Sequence, residues 1–305
     1  MKYTTLGKSD LNASSIILGC MRINSLNEKE LTTLINTSIE EGINLFDHAD
    51  IYGNGSCEEL FGNVLNSNPG LRDKILLQSK CSIRNGFYDL SKDHILTSVD
   101  NSLNRLQTDY LDLLILHRPD TLMEPEEIAE AFTKLSDSGK VKNFGISNFN
   151  SIQIELLKKY IDHPLIVNQL QFGIMHSDIV NNGIQVNTSF PGSIDRSDHI
   201  LEYSRLNDIT IQAWSPFQYG FFEGIFIDND KFPDLNKTLA TLAEKYNVSK
   251  SAIAVAWIMR HPANMQTLIG TTKINRIKDI CTANSINLSR EEWYSIYKAA
   301  GNILP

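Results

Sequence analysis

What this sequence lacks narrows its function before any motif is read. Its 28 Lys and Arg are outnumbered by 36 Asp and Glu, a net charge of -8, and no basic block or stripe appears. Such a chain carries no electrostatic footprint for nucleic acid, so none is expected as a partner. No stretch approaches the roughly 18 uninterrupted apolar residues that a membrane helix requires. Met1 to Gly7 lack the apolar core of a signal peptide. We therefore expect no membrane partner and a cytoplasmic location. Cysteine is sparse and unpatterned: Cys20, Cys57, Cys81 and Cys281 form no C-x-x-C pair, and no H-E-x-x-H motif occurs. Free thiols in a reducing compartment are expected, with no metal site. No Pro- or Ser-rich linker or change in composition divides the 305 residues, so the whole chain reads as one domain.

A Gly-rich phosphate fingerprint is missing as well. Gly7-Lys8-Ser9 lacks the earlier glycine of a phosphate loop, because Lys2 stands there. Gly53-Asn54-Gly55 lacks the third glycine of a dinucleotide turn, because Glu58 stands there. Both read as turns.

What is present is a 42% apolar, 21% charged soluble composition, enough for a sizeable core, in which strand-like and helix-like patterns alternate. A hairpin is expected around Tyr3 to Leu11. Strands follow at Ser15–Leu18, Ile43–Asp47, Ile75–Lys80, Leu111–His117, Val141–Ile146, Leu165–Leu170, Ile209–Trp214 and Gln266–Ile269. A helical pattern follows each strand, as in Leu31, Leu34, Ile35 and Ile39 before Gly42, or the segment opened by Pro125. Eight such units specify a (β/α)₈ TIM barrel with an N-terminal hairpin. A doubly wound sheet is the rival, but Leu18-Gly19-Cys20-Met21-Arg22 offers no Gly-rich turn. Two long stretches, Phe172–Asp198 and the aromatic-rich Phe217–Asp234, exceed ordinary connections and are expected as irregular loops on the C-terminal face.

Three successive strands deliver ionisable groups at their C-terminal ends: Asp47, Lys80 and His117, with Tyr52 in the loop after Asp47. In a parallel barrel those ends share the face where chemistry occurs. A free tyrosine titrates near ~10. A neighbouring ammonium is expected to lower that value, and a carboxylate such as Asp47 to hold Lys80 charged and in position. His117 adds a donor able to polarise a carbonyl oxygen. The set suits hydride addition to an aldehyde or ketone, where an alkoxide develops and must be protonated.

The runs Asn44-Leu45-Phe46-Asp47-His48-Ala49-Asp50-Ile51-Tyr52-Gly53, Leu111-Asp112-Leu113-Leu114-Ile115-Leu116-His117 and Gly139-Lys140-Val141-Lys142-Asn143-Phe144-Gly145-Ile146-Ser147-Asn148-Phe149, together with Lys80, resemble the aldo-keto reductases over essentially the whole chain. The bracket Asp47-His48-Ala49 with His117-Arg118-Pro119-Asp120 resembles a bacterial oxidoreductase branch of that family. The resemblance implies an NAD(P)H-dependent, metal-free enzyme with Asp47, Tyr52, Lys80 and His117 as its catalytic set and Tyr52 as general acid. It gives the nicotinamide carboxamide to Ser147, Asn148 and Gln169, and the stacked aromatic to Trp214. Ser215, Pro216, Phe217 and Gln218 follow beside the pyrophosphate, and Gly19, Met21 and Asp47 also contact cofactor.

Gly270, Thr271, Thr272 and Lys273 lead from the last strand into a helix N-terminus suited to an anion. Arg276, with Lys273 nearby, is expected to pair with the 2′-phosphate of NADP. Many members carry lysine where Thr271 stands, so NAD remains possible. The partner expected is a small carbonyl compound, hydrophobic or aromatic if the apolar loops line its pocket. Two rivals remain: a Schiff-base lyase using Lys80, and a non-catalytic NADP-binding redox sensor or partner subunit. Oxidative inactivation through the cysteines near the site is a further expectation, tested by activity after peroxide.

Overall fold

A computed structural model describes residues 1–305. A hairpin of β1 (Tyr3–Thr5) and β2 (Asn12–Ser14) precedes the barrel. The chain then runs β3 (Ile16–Gly19), α1 (Glu28–Glu40), β4 (Leu45–Asp47), α2 (Ser56–Ser67), β5 (Leu76–Cys81), α3 (Lys92–Leu106), β6 (Leu113–Leu116) and α4 (Pro125–Asp137). It continues through β7 (Phe144–Ser147), α5 (Ser151–Lys158), β8 (Leu165–Gln171), α6 (Asp178–Ile184), α7 (Ile200–Leu206) and β9 (Thr210–Trp214). A two-stranded ribbon of β10 (Gln218–Tyr219) and β11 (Gly224–Ile225) leads to α8 (Pro233–Tyr246), α9 (Lys250–Met259), β12 (Gln266–Ile269), α10 (Ile274–Cys281) and α11 (Arg290–Ala299). The eight parallel strands β3 to β9 and β12 close into a (β/α)₈ barrel when β12 pairs with β3, Leu268 beside Ile17.

Local chemistry accounts for most boundaries. Asn27 and Glu30 cap α1 reciprocally, Asn150 and Gln153 cap α5, and Ser289 and Glu292 cap α11, each satisfying two otherwise unbonded N–H groups. Pro125 sits in the first turn of α4, where its missing N–H costs nothing. Helices α2 and α3 cross so closely at Gly62 that a Cβ there would lie 2.0 Å from the Arg105 carbonyl oxygen. The apolar faces of the helices pack on the outside of the strands. A separate cluster of Leu6, Ala13, Ile17, Leu45, Leu113, Ile115, Ile166 and Val167 fills the N-terminal end of the barrel.

Three expectations need correction. The stretch Phe172–Asp198 is not structureless: it holds α6 and a short 3₁₀ turn at Pro191–Ser193, built on the apolar Ile179 and Val180. Phe217–Asp234 contains the ribbon, turned by Gly220 and Gly224 at positive φ, and α8 begins within it at Pro233. The fifth barrel strand starts at Phe144, with Val141 contributing only a single bridge to Leu111.

Candidate active site

Asp47 ends β4, Lys80 is the penultimate residue of β5, and His117 directly follows β6. Tyr52 opens a 3₁₀ turn whose next three residues, Gly53, Asn54 and Gly55, all have positive φ. Only glycine and asparagine adopt that conformation at little cost, so the Gly-Asn-Gly tripeptide folds the chain back and fixes the phenol over the strand ends.

Lys80 Nζ lies 2.6 Å from Asp47 Oδ1, and both side chains are fully buried. The ammonium donates its other hydrogens to the His48 carbonyl at 2.8 Å and to the Tyr52 hydroxyl oxygen at 3.0 Å. All three donors are therefore used, and the phenolic hydrogen is left free for another acceptor. Burial alone would lower the lysine pKa, but Asp47 and Tyr52 outweigh it and raise the value. The expected lowering of the tyrosine is overturned. Burial pushes Tyr52 up to about 12, and Lys80 only partly offsets it. Burial, then the charges of Lys80 and Arg118, holds His117 well below the ordinary histidine value, so its imidazole is neutral. Its ring stands edge-on to Tyr52 with centroids 6.1 Å apart.

Beneath this group lies an amide layer that the reading of motifs missed. Gln78 Nε2 and Gln169 Nε2 donate to Asp47 Oδ1 at 2.6 and 3.0 Å, and both also donate to Gln212 Oε1 at 3.0 Å. Gln212 Nε2 donates in turn to Gln78 and Gln266, whose own amide donates to the Ser14 carbonyl. A partial signal was available, since Gln78, Gln169 and Gln212 each interrupt an apolar strand, whereas Gln266 opens one.

A cavity of about 420 Å³ opens above Asp47, Tyr52 and His117. Its wall contains Gly19, Met21, Ser147, Asn148, Gln169, Trp214, Ser215, Pro216, Phe217, Gln218 and Gly270, all of them positions singled out in the sequence. Thr271, Thr272, Lys273 and Arg276 lie beyond it, on the approach to α10 and its first turn, with Lys273 and Arg276 exposed. Asp47 Oδ2, His117 Nδ1 and Gln218 Oε1 are buried in or beside this wall without a protein partner. Such atoms call for a polar ligand.

Residues 15–300 match the model of the Aldo/keto reductase family. The chain belongs to that family. Among its relatives, the uncharacterized oxidoreductase YcsN of Bacillus subtilis (strain 168) is 37% identical, the match covering 95% of each chain. The oxidoreductase YdhF of Escherichia coli (strain K12) is 34% identical over 94% of this chain and 93% of its own. A 6-dehydroglucose reductase of Agrobacterium fabrum is 32% identical over 95% of both. The thermostable aldo-keto reductase Tm1743, solved with the inhibitor epalrestat, superposes with a TM-score of 0.79 at 24% identity, covering 98% of this chain and 100% of its own. That last likeness is one of fold.

In this aldo/keto reductase the proposed carboxamide ligands are already tied together. Asn148 Nδ2 donates to Ser147 Oγ at 2.8 Å, Ser147 Oγ to the Gln169 carbonyl at 2.8 Å, and Trp214 Nε1 to Asn148 Oδ1 at 3.2 Å. Phe222 stacks on Trp214, its ring centroid 6.1 Å away. All four cysteines are buried, and burial raises the Cys20 and Cys81 thiols well above their ordinary value. Thiols held that firmly protonated are poor nucleophiles, which weakens the expectation of oxidative inactivation.

Proposed function

We propose that this aldo/keto reductase reduces aldehydes or ketones to alcohols with a nicotinamide cofactor, NADPH in preference to NADH, and that Tyr52 is the proton donor. The observation that carries the reading is the arrangement Asp47–Lys80–Tyr52, with Lys80 Nζ 2.6 Å from the carboxylate and 3.0 Å from the phenol at the floor of the cavity. A phenol raised to about 12 is fully protonated at neutral pH, so it acts as an acid. The ammonium that donates to its oxygen stabilises the phenolate as the proton leaves for the substrate oxygen. Neutral His117 offers one imidazole N–H to that same oxygen and polarises the carbonyl. Asp47 works through Lys80, holding it charged and aimed.

The bound cofactor supplies the hydride. Ser147, Asn148 and Gln169 hold its carboxamide, Trp214 its ring face, and Ser215–Gln218 with Gly19, Met21 and Asp47 the adjoining groups. Gly270–Lys273 and Arg276 take its phosphates. Their exposure at the start of α10 suits a solvent-facing 2′-phosphate paired with a guanidinium.

A Schiff-base role for Lys80 requires a neutral amine with a free lone pair. Its raised pKa, three engaged hydrogens and complete burial oppose that role. Titration with NADPH and NADH, followed by tryptophan quenching, tests the reading. Trp257 and Trp293 are stacked on each other away from the cavity, so the signal belongs to Trp214. Saturable quenching, tighter for NADPH and lost in Trp214→Phe, with oxidation of NADPH by simple aldehydes, is expected. Binding without reduction of any carbonyl in a broad panel would favour a sensor instead. Equal affinities would withdraw the role of Arg276.

A further inference from the structure

A second cavity of about 380 Å³ adjoins the first, and the two share Arg118, Asn148, Trp214 and Phe221. The proposed cofactor contacts follow mainly β9 and β12, whereas this cavity lies over the ends of β7 and β8, between Asn148–Asn150 and the segment reaching α7. Of the proposed cofactor contacts, only Asn148 and Trp214 reach it. Its wall carries two arginines against one carboxylate. Arg118, half-buried, and Arg196, at the rim, both line it, and neither guanidinium is engaged by a carboxylate. Two other partly buried arginines are matched by carboxylates, Arg72 by Asp112 and Arg105 by Glu58, each at 2.7 Å.

One carboxylate, Asp178, is in the wall, where it accepts a hydrogen bond from Asn181 Nδ2 at 3.4 Å. The neighbouring His176 is half-buried and uncharged at neutral pH, because burial lowers its pKa. Arg118 stands 5.8 Å from the centre of the Trp214 ring, at the junction of the two cavities. In a chain of net charge -8, two unmatched guanidinium groups converging on one cavity reserve it for an anion. Their planar forks fit the paired oxygens of a carboxylate or phosphate.

We infer that the substrate is an anionic carbonyl compound, its aldehyde or ketone at Tyr52 and His117 and a carboxylate or phosphate at its far end on Arg118 and Arg196. Phe221, Ile179 and Ile200 supply an apolar wall for the carbon skeleton between them. The inference rests on the reductase reading and adds an anionic group to the hydrophobic or aromatic carbonyl expected from the loops.

The test is kcat/KM of the full chain with NADPH for two matched pairs. One pair is 4-carboxybenzaldehyde against 4-methylbenzaldehyde; the other is D-glyceraldehyde 3-phosphate against D-glyceraldehyde. The pairs separate a carboxylate from a phosphate. The anionic member of at least one pair is expected to lead by about tenfold or more. That lead should shrink in about 0.5 M salt and collapse in R196Q. Equal values within both pairs, or a preference that R196Q leaves intact, overturns the inference. Calorimetric titration with 4-(hydroxymethyl)benzoate, the alcohol product, runs in parallel on both proteins. Binding that depends on Arg196 without turnover of any aldehyde upholds the anion site and removes the reductase reading. No turnover and no Arg196-dependent binding overturns both.

Discussion

At the N-terminal end of the barrel the interior is filled by Ile17, Leu45, Leu113, Ile115 and Val167, closed off by Leu6 and Ala13 of the hairpin. Toward the C-terminal end it is filled by Asp47, Gln78, Lys80, Gln169, Gln212 and Gln266, every one of them buried. The two sets meet across the seam between β5 and β6, where Leu113 pairs with Gln78 and Ile115 with Lys80. The apolar end needs only volume, so its members act independently and contribute through area removed from water. The polar end works only as a set, because each donor or acceptor left unmatched there bears its full desolvation cost. A buried ion pair is a weak stabiliser against a well-packed apolar alternative. Its presence in this layer therefore speaks for chemistry rather than for stability.

Removing single atoms from the polar end breaks that contrast most severely. Tyr52→Phe deletes only the proton donor, and kcat for aldehyde reduction is expected to fall about 10²- to 10⁴-fold. The Kd for NADPH should stay unchanged in a fluorescence titration. Undiminished turnover would discard Tyr52 as the acid. Next in size is Asp47→Asn, which leaves the Lys80 ammonium in a dry interior without its countercharge. Urea unfolding should show a loss of about 3–5 kcal/mol. A shift near zero would mean that water reaches the pair in solution.

The apolar end should respond in stability alone. Leu113→Ala is expected to cost about 2–5 kcal/mol through the cavity it leaves, with kcat of the folded protein retained. Gln212→Leu should cost less, about 1–3 kcal/mol, by stranding the amide hydrogens of Gln78 and Gln169. Unlike the leucine variant, it should also lower kcat, since both amides help aim Asp47 at Lys80. Identical kinetic behaviour of the two variants would erase the distinction between the layers.

Much of this was legible in the sequence, and for a physical reason. Asp47, Lys80 and His117 are tied to strand ends, and a parallel barrel gathers strand ends onto one face whatever the loops do. The Gly53-Asn54-Gly55 turn that fixes Tyr52 was equally readable, because only those residue types accept its backbone angles. The direction of the Tyr52 shift was not. A motif displays the neighbouring lysine but not the depth of burial, and here burial outweighs the charge. The amide layer was legible only in part: single glutamines in apolar strands are visible, but Gln78 and Gln266 lie far apart in the chain and are joined only across the barrel, through Gln212. Helix α6 escaped notice because its 7 residues, Asp178-Ile-Val-Asn-Asn-Gly-Ile, are too few and too polar for a clear period.

His48 sharpens the comparison at its finest scale, because it continues the polar strand end but turns outward. Its side chain is fully buried, packs edge-on against Phe61 at 4.5 Å between ring centroids, and has no partner for either ring nitrogen. Inward-facing Asp47 is matched by Lys80, whereas this neighbour is tolerated only as a neutral ring. Burial, reinforced by the charge of Lys80, lowers its pKa from 6.5 to about 3. The sign follows directly. Above 6.5 both the folded and the unfolded chain carry a neutral imidazole, and the full stability is present. As pH falls from 6.5 toward about 3, the unfolded chain takes up a proton that the fold refuses, and stability is lost. Each such proton contributes a slope of about 1.4 kcal/mol per pH unit. His48→Phe removes one proton's share and leaves those of His94, His117, His176 and His261, whose values burial also lowers. The gap between variant and parent in urea unfolding should therefore widen by a few tenths of a kcal/mol just below neutrality and by more toward pH ~5. Parallel curves would mean that the outward side of this strand end accepts a charge, and that burial there is not the governing term.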